Sequence, residues 1–208
     1  MTMPMFAAAS AISCLISCVW VIAVYFRRPE RIGWRMRLLS ISGLIGFAIH
    51  IAGLILIDPS QLTRLPIACG LYTAGFCLLW WSVGTLWNRR PMLAFSNSNP
   101  VEICMSGPYA WVRHPFYLSY VLMWLAGAVS LPLYLGWFVL FLLLPQYIIA
   151  IRSEEQQILS GPHGAAYSKY RRKVGAMIPT FRNVTGDPLH DSEDPLIEAE
   201  LRQPGSET

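Results

Sequence analysis

Four long apolar segments constrain what this sequence can fold into. A helix that crosses a lipid bilayer needs about 20 mostly apolar residues, because the hydrocarbon core is about 30 Å thick and each helical residue rises about 1.5 Å. Three of the segments reach this length without a single Lys, Arg, Asp or Glu, and the fourth is long enough for two crossings. The segments are Met5 to Phe26, Leu38 to Ile57, Pro66 to Trp87 and Phe116 to Ile151.

The fourth segment predicts a helical hairpin. It is interrupted at Leu131-Pro132-Leu133, and a proline inside a helix removes a backbone hydrogen bond and clashes with the preceding turn. We therefore predict an all-α, polytopic membrane protein with five transmembrane helices. The first helix is expected to be retained, because Met1 to Met5 lack the positive charge that begins a signal peptide.

The charges of the connections predict the orientation, since cationic loops stay on the cytoplasmic side. The second connection, Asp58 to Leu65, is neutral and the hairpin at Pro132 carries no charge, so both are expected outside. The first connection and the one from Asn88 to Pro115 are cationic and are expected inside. All connections agree with an outer N-terminus and a cytoplasmic C-terminus. The arginines concerned are Arg27, Arg28, Arg31, Arg35 and Arg37 in the first connection and Arg89, Arg90 and Arg113 in the third.

The composition excludes a soluble domain and a nucleic-acid-binding protein. Hydrophobic residues make up 54% of the chain and charged residues 13%, whereas a soluble domain carries about 25% charged residues. The five cysteines have neither zinc-ligand nor disulfide spacing. His50 lies inside the second segment, where a polar side chain is either functional or hydrogen-bonded to a neighbouring helix.

The first segment with candidate chemistry runs from Ser106 to Tyr117 and reads S-G-P-Y-A-W-V-R-H-P-F-Y. Tyrosine, tryptophan and arginine are typical of an interfacial anchor, and Pro115 suits the first turn of a helix. An anchor has no use for His114 between a guanidinium and that proline. Arg113-His114-Pro115 instead indicates a ligand site at the positive end of a helix dipole.

The second such segment follows Ile151, where we expect the fifth helix to end. Glu154 and Glu155 are close to the bilayer edge, where carboxylates gain nothing from anionic lipids. They require a cation, which is Arg113, Arg152 or a bound ligand. A structural ion pair and a ligand site are both open. The G-x-G-x-x-G, Walker A, H-E-x-x-H and G-x-S-x-G motifs of soluble enzymes do not occur in the sequence.

Together the two segments resemble a known family. The run GPYAWVRHPFY, followed after the hairpin by RSEEQQIL, G-A-A-Y-S-K-Y and Val174 to Pro179, is similar to the isoprenylcysteine carboxyl methyltransferase family and its phospholipid methyltransferase relatives. The resemblance covers about a third of the chain. It implies an integral membrane enzyme that moves a methyl group from S-adenosylmethionine to a lipophilic acceptor from the bilayer, with the cofactor pocket facing the cytosol.

The resemblance implies roles for Tyr109, His114, Tyr117, Arg152 and Glu155, and the chemistry of S-adenosylmethionine adds further candidate residues. His114 and Arg152 are the predicted catalytic residues. Arg152 and Trp111 are the predicted substrate-binding residues, with Arg152 expected to contact the substrate carboxylate. Gly161-Pro162-His163-Gly164 stands where many members have Phe-Gly, so whether Glu154 or Glu155 contacts the cofactor stays open. The cofactor-binding positions are Tyr109, Arg113, His114, Pro115, Tyr117, Glu154 and Glu155.

Two other enzyme classes remain as alternatives. One is the methylation of a phospholipid amine, which shares the R-H-P-type block. The other is an NADPH-dependent, sterol-reductase-like membrane protein, which the acidic pair disfavours because NADPH carries a 2′-phosphate. A scaffold without a cofactor is the third reading.

The chain is expected to have three parts. Residues 1–87 form a three-helix transmembrane region and residues 88–179 form the methyltransferase core. Residues 180–208 form an acidic tail, in which seven acidic residues face one arginine from Asp187 onward. This tail has too little apolar content for a core, so we expect it to be disordered.

Overall fold

A computed structural model describes residues 3–27, 33–56, 64–88, 103–131 and 134–179. The predicted disordered tail, Pro132 of the hairpin and Arg89 and Arg90 lie outside these residues. Within them the structure is helical. The helices are α1 (Met3–Trp20), continued by a π-helical turn (Val21–Tyr25), α2 (Trp34–Leu56), α3 (Leu65–Thr85), a 3₁₀ turn (Gly107–Ala110), α4 (Pro115–Ser130), α5 (Tyr134–Leu159) and α6 (Gly164–Lys173).

The all-helical class is confirmed, and four of the predicted membrane spans have the required length and composition. These four are α1 with its π-helical turn, α2, α3 and α5. The α4 helix is apolar but has 16 residues, about 24 Å at 1.5 Å per residue. The count of five crossings and the orientation of the bundle therefore stay predictions.

The helices pack into one bundle whose interior joins all five long helices. In one core cluster Cys14 of α1, Leu79 of α3 and Met123 of α4 are buried together. In another, Leu39 of α2 and Leu143 of α5 pack with Tyr117 of α4. A Cβ at Gly75 of α3 would lie 2.9 Å from Met123 and 3.0 Å from the Ser119 carbonyl oxygen. Small residues of this kind let membrane helices approach closely.

The α5 helix is longer than the sequence analysis expects. It does not end at Ile151 but continues to Leu159, so Arg152, Glu154 and Glu155 lie on its last two turns. The residues after Ile151 are mostly strong helix formers, and the first helix-breaking pair is Gly161-Pro162. The apolar run of α5 ends at Ile151, whereas its helical propensity continues to Leu159.

After α6 the chain returns to the beginning of α4. Val112 and Gly175 pair as an isolated parallel bridge. The backbone N–H groups of Arg113 and His114 donate to the carbonyl oxygens of Gly175 and Ala176, at 2.9 and 3.0 Å. These bonds hold the residues before α4 against the C-terminal segment.

Candidate active site

The candidate site lies where the start of α4 meets the last turns of α5. His114 is the residue before α4, Pro115 is its first residue, and Leu118 donates its N–H to the His114 carbonyl at 3.1 Å. The His114 side chain and Glu155 are each 8% exposed. Two ionisable groups are thus buried together at one end of the bundle.

Glu155 forms a buried ion pair with Arg113, which also contacts the end of α6. Arg113 donates from Nε at 2.9 Å and from Nη2 at 2.7 Å, both to Glu155 Oε1. Its Nη1 donates to the carbonyl oxygens of Arg171 and Val174, and Arg171 Nε lies 3.8 Å from Glu155 Oε2. Arg113 therefore joins α5 to the end of α6, and the cation left open by the sequence analysis is Arg113.

His114 lies between the two glutamates. Its Nε2 is 3.1 Å from Glu155 Oε1, and its Nδ1 is 3.7 Å from Glu154 Oε2. The Tyr117 hydroxyl donates to Glu154 Oε1 at 2.5 Å. Because an ionised carboxylate only accepts hydrogen bonds, the imidazole is held as a donor toward Glu155.

The two glutamates differ in how much of their hydrogen-bonding capacity is used. Glu155 Oε1 accepts from Arg113, His114 and Tyr167, and its side chain is 10% exposed. The Glu154 side chain is 30% exposed and accepts one hydroxyl hydrogen bond, from Tyr117, within the described residues. Glu154 is thus the carboxylate with room for a cationic ligand.

Two tyrosines of α6 complete the site. Tyr167 donates to Glu155 Oε1 at 3.2 Å, and Tyr170 donates to the Tyr109 carbonyl oxygen at 2.6 Å. Burial raises the pKa of both hydroxyls, so both stay protonated and remain donors at neutral pH. Neither tyrosine is among the predicted site residues, although their spacing of three residues places them on one face of a helix.

The structure brings together most of the predicted site residues. Arg113, His114, Tyr117, Glu154 and Glu155 share one hydrogen-bond and ion-pair cluster. Pro115 is buried as the first residue of α4, and Tyr109 is buried in the 3₁₀ turn before it. Trp111 is 45% exposed. Arg152 is exposed on α5. Within the described residues, it makes none of the contacts that define the cluster.

Replacing Tyr170 by phenylalanine should destabilise the protein by about 1–3 kcal/mol, because the buried Tyr109 carbonyl loses its hydroxyl donor. The measurement is reversible unfolding in mixed micelles. Tyr134→Phe is the control, since Tyr134 is 78% exposed and should change stability by no more than about 0.5 kcal/mol. Equal stability of the two variants would contradict the assigned bond.

These features define a class of protein. A bundle with four helices long and apolar enough to cross a membrane, and a buried ion-pair cluster at one end, is typical of an integral membrane protein with a polar site at one end of its helices. The sequence model of the isoprenylcysteine carboxyl methyltransferase (ICMT) family matches residues 67–160. The match covers a little under half of the chain and includes nearly all of α3, the whole of α4, and the whole of α5 with both glutamates. The predicted resemblance is confirmed, and the family is one of methyltransferases.

No curated protein and no solved structure matches the chain significantly.

Proposed function

We propose that this protein transfers a methyl group from S-adenosylmethionine to a carboxylate of a lipophilic, isoprenylcysteine-like acceptor. The observation that carries the proposal is the position of His114 between Glu154 and Glu155, inside the region that matches the methyltransferase family. The site is proposed to face the cytosol, as the arginine-rich connections predict.

The residues of the site fit this cofactor by their chemistry. S-adenosylmethionine has a sulfonium cation, an amino-acid end with both charges, and an adenine ring. Glu154 offers a partly exposed carboxylate to a cationic group. Aromatic side chains also lie beside the site, where the rings of Tyr117, Tyr120 and Tyr147 pack with centroids 5.7 to 6.4 Å apart.

When bound, the cofactor supplies an electrophilic methyl group on sulfur. The protein's own residues bind and orient the reactants. A carboxylate acceptor needs no general base, so His114 is assigned a positioning role. Its ring lies between the carboxylates of Glu154 and Glu155 and keeps both side chains in place. Arg113 is fully engaged by Glu155 and two backbone carbonyls. Arg152 is exposed on α5, and it is the arginine proposed to meet the acceptor carboxylate.

The bilayer side of the site is apolar. Tyr117 and Tyr147 pack with Leu143 and Ala150 along α4 and α5. Such a wall excludes water from the reacting groups and strengthens their electrostatic interactions. It is suited to the hydrocarbon part of an acceptor that arrives from the membrane.

The proposed function is tested by calorimetry of the detergent-solubilised protein with S-adenosylhomocysteine. Saturable binding is expected, and labelled methyl transfer to a farnesylcysteine derivative should follow. The absence of binding at high ligand concentration would refute cofactor use. Binding with methylation of phosphatidylethanolamine instead of the farnesylcysteine derivative would refute the carboxylate acceptor and favour amine methylation.

Glu154→Gln should weaken cofactor binding at least about tenfold, because a charge-assisted hydrogen bond is worth about 1.5 kcal/mol or more. The substitution keeps the shape of the side chain and removes its charge. Dissociation constants from the same calorimetric experiment measure the effect.

Glu155→Gln is the matched comparison, since the side chain next to Glu154 is already paired with Arg113. We expect it to lower stability more than cofactor affinity in the folded fraction. If Glu155→Gln alone weakens binding, Glu155 is the cofactor contact. Two variants that both bind as wild type would place the cofactor elsewhere.

A further inference from the structure

The α6 helix has a buried aromatic face and an exposed basic end. Tyr167 and Tyr170, with Val174 just after the helix, form a buried cluster that packs against Ile158 and Leu159 of α5. The last residues of the helix are exposed wherever they do not belong to this face. They include the cations Lys169, Arg171, Arg172 and Lys173.

No carboxylate outside the methyl-transfer site accompanies these cations in the part of the chain that the structure describes. The acidic residues of that part are Glu154 and Glu155, and both belong to the cluster around His114. Lys169 and Arg172 are three residues apart, so they are neighbours on the helix surface and repel each other. Cations in a last turn complement the helix dipole, but Lys169 lies before that turn. The dipole therefore does not account for the whole basic surface.

The basic end of α6 is held beside the start of α4 and the end of the apolar run of α5. Arg113 donates to the carbonyl oxygens of Arg171 and Val174. Arg171 Nε lies 3.8 Å from Glu155 Oε2. These contacts fix the height of the basic residues along the bundle axis.

This height corresponds to the level of lipid headgroups. The apolar run of α5 ends at Ile151, and Glu155 follows it by four residues, which is about 6 Å along a helix axis. The headgroup region on either side of a bilayer is about 5 to 8 Å thick. In a bilayer whose hydrocarbon core ends with the apolar run, Arg171 beside Glu155 is therefore level with the lipid phosphates.

The charges of this surface select lipids with a net negative charge. Arginine binds a phosphate group through paired N–H donors, and lysine binds it as a point charge. Phosphatidylcholine also carries a phosphate, but its choline cation is repelled by a surface with several cations. An anionic phospholipid offers the phosphate without that repulsion.

We propose that the exposed cations of α6 bind the headgroups of anionic phospholipids at the membrane surface. This binding surface is additional to the methyl-transfer site and does not depend on the proposed function. The segment after α6 supplies the Gly175 and Ala176 carbonyl oxygens that accept the N–H groups of Arg113 and His114. Lipid bound to α6 therefore also stabilises the contacts that hold the residues before α4.

The test is hydrogen–deuterium exchange of the full-length protein in two kinds of nanodisc. One contains phosphatidylcholine alone, and the other contains a mixture with phosphatidylglycerol of the same acyl chains. Peptides covering residues 164–176 should exchange at least about fivefold more slowly in the mixture, which is the contribution of one cation near an anionic surface. Peptides of α3 should exchange equally in both, and high salt should weaken the effect on α6.

A double variant and a charge-matched control locate the effect. Lys169→Gln combined with Arg172→Gln should bring the exchange of α6 in the two membranes to nearly the same rate, since neither side chain takes part in the methyl-transfer site. Arg64→Gln is the control. Arg64 is exposed just before α3, at the other end of the bundle, so its loss should leave the difference unchanged.

Equal exchange of α6 in the two membranes would overturn the proposal, and this comparison of the wild-type protein needs no variant to fold. A lipid effect of the same size in the double variant would also overturn it. Slower exchange on adding poly-glutamate to the phosphatidylcholine nanodiscs, without an effect of phosphatidylglycerol, would assign the surface to an acidic protein instead.

Discussion

Replacing Arg113 by alanine is expected to lower the free energy of unfolding by about 3–5 kcal/mol, the usual effect of leaving one partner of a buried ion pair uncompensated. The variant removes the Nε and Nη2 donors to Glu155 Oε1. It also removes the donor to the Arg171 and Val174 carbonyl oxygens, so α6 keeps only its direct contacts with Glu155, from Tyr167 and Arg171. Reversible unfolding in mixed micelles, followed by circular dichroism, measures the change.

Three further variants separate charge from geometry. Arg113→Lys keeps the charge but lacks the planar fork of donors, so an intermediate loss is expected. Arg152→Ala removes an exposed arginine of α5 and should change stability by no more than about 0.5 kcal/mol. Replacing both Arg113 and Glu155 by methionine should restore much of the stability, because no buried charge is then left unpaired. An Arg113→Ala variant as stable as Arg152→Ala would show that the ion pair does not hold α6.

The boundaries of α3 and the position of the hairpin break could be predicted closely from apolar length and the proline alone. The predicted span Pro66 to Trp87 corresponds to α3 at Leu65–Thr85, and the predicted hairpin break separates Ser130 from Tyr134. Both predictions rest on the cost of placing charge or unpaired backbone groups in hydrocarbon. That cost depends little on which helices are neighbours.

Apolar length does not predict where a helix ends when polar residues extend it. The α2 helix begins at Trp34, before the predicted Leu38, and α5 continues past Ile151 to Leu159. Polar residues at these ends are good helix formers, so each helix continues beyond its apolar run. Hydropathy therefore marks the end of the apolar run and not the end of the helix.

The partner of Glu155 could not be chosen from the sequence. Arg152 is three residues away and suits a contact within one helix, whereas Arg113 is 42 residues away. The choice depends on how α4 packs against α5, which single-sequence patterns do not encode. The structure pairs Glu155 with the distant arginine and leaves Arg152 exposed.

Some of the contacts that shape the site involve backbone atoms only. The carbonyl oxygens of Gly175 and Ala176 accept the N–H groups of Arg113 and His114. Any residue type supplies the same carbonyl group, so these contacts leave no pattern in the sequence. They nevertheless determine where the His114 ring lies relative to the two glutamates.

Replacing His114 by alanine should lower the rate of methyl transfer by at least about 100-fold while the protein remains folded. The ring contacts both glutamates, and its loss lets Glu154 move. A displacement of about 1 Å at such a site can cost 100-fold in rate. The fold should persist, because Glu155 keeps its bonds to Arg113 and Tyr167. Initial rates with labelled S-adenosylmethionine measure the effect, and circular dichroism checks the fold.

His163→Ala is the matched control for this last variant, since His163 is exposed just before α6 and should leave the rate unchanged. His114→Asn keeps one side-chain N–H donor and should retain more activity than His114→Ala if the role is positioning. Unchanged turnover of His114→Ala would assign the residue to the membrane interface as an anchor. A loss of rate in His114→Ala with partial recovery in His114→Asn would distinguish a hydrogen bond to the glutamates from proton transfer, because an amide cannot act as a base at neutral pH.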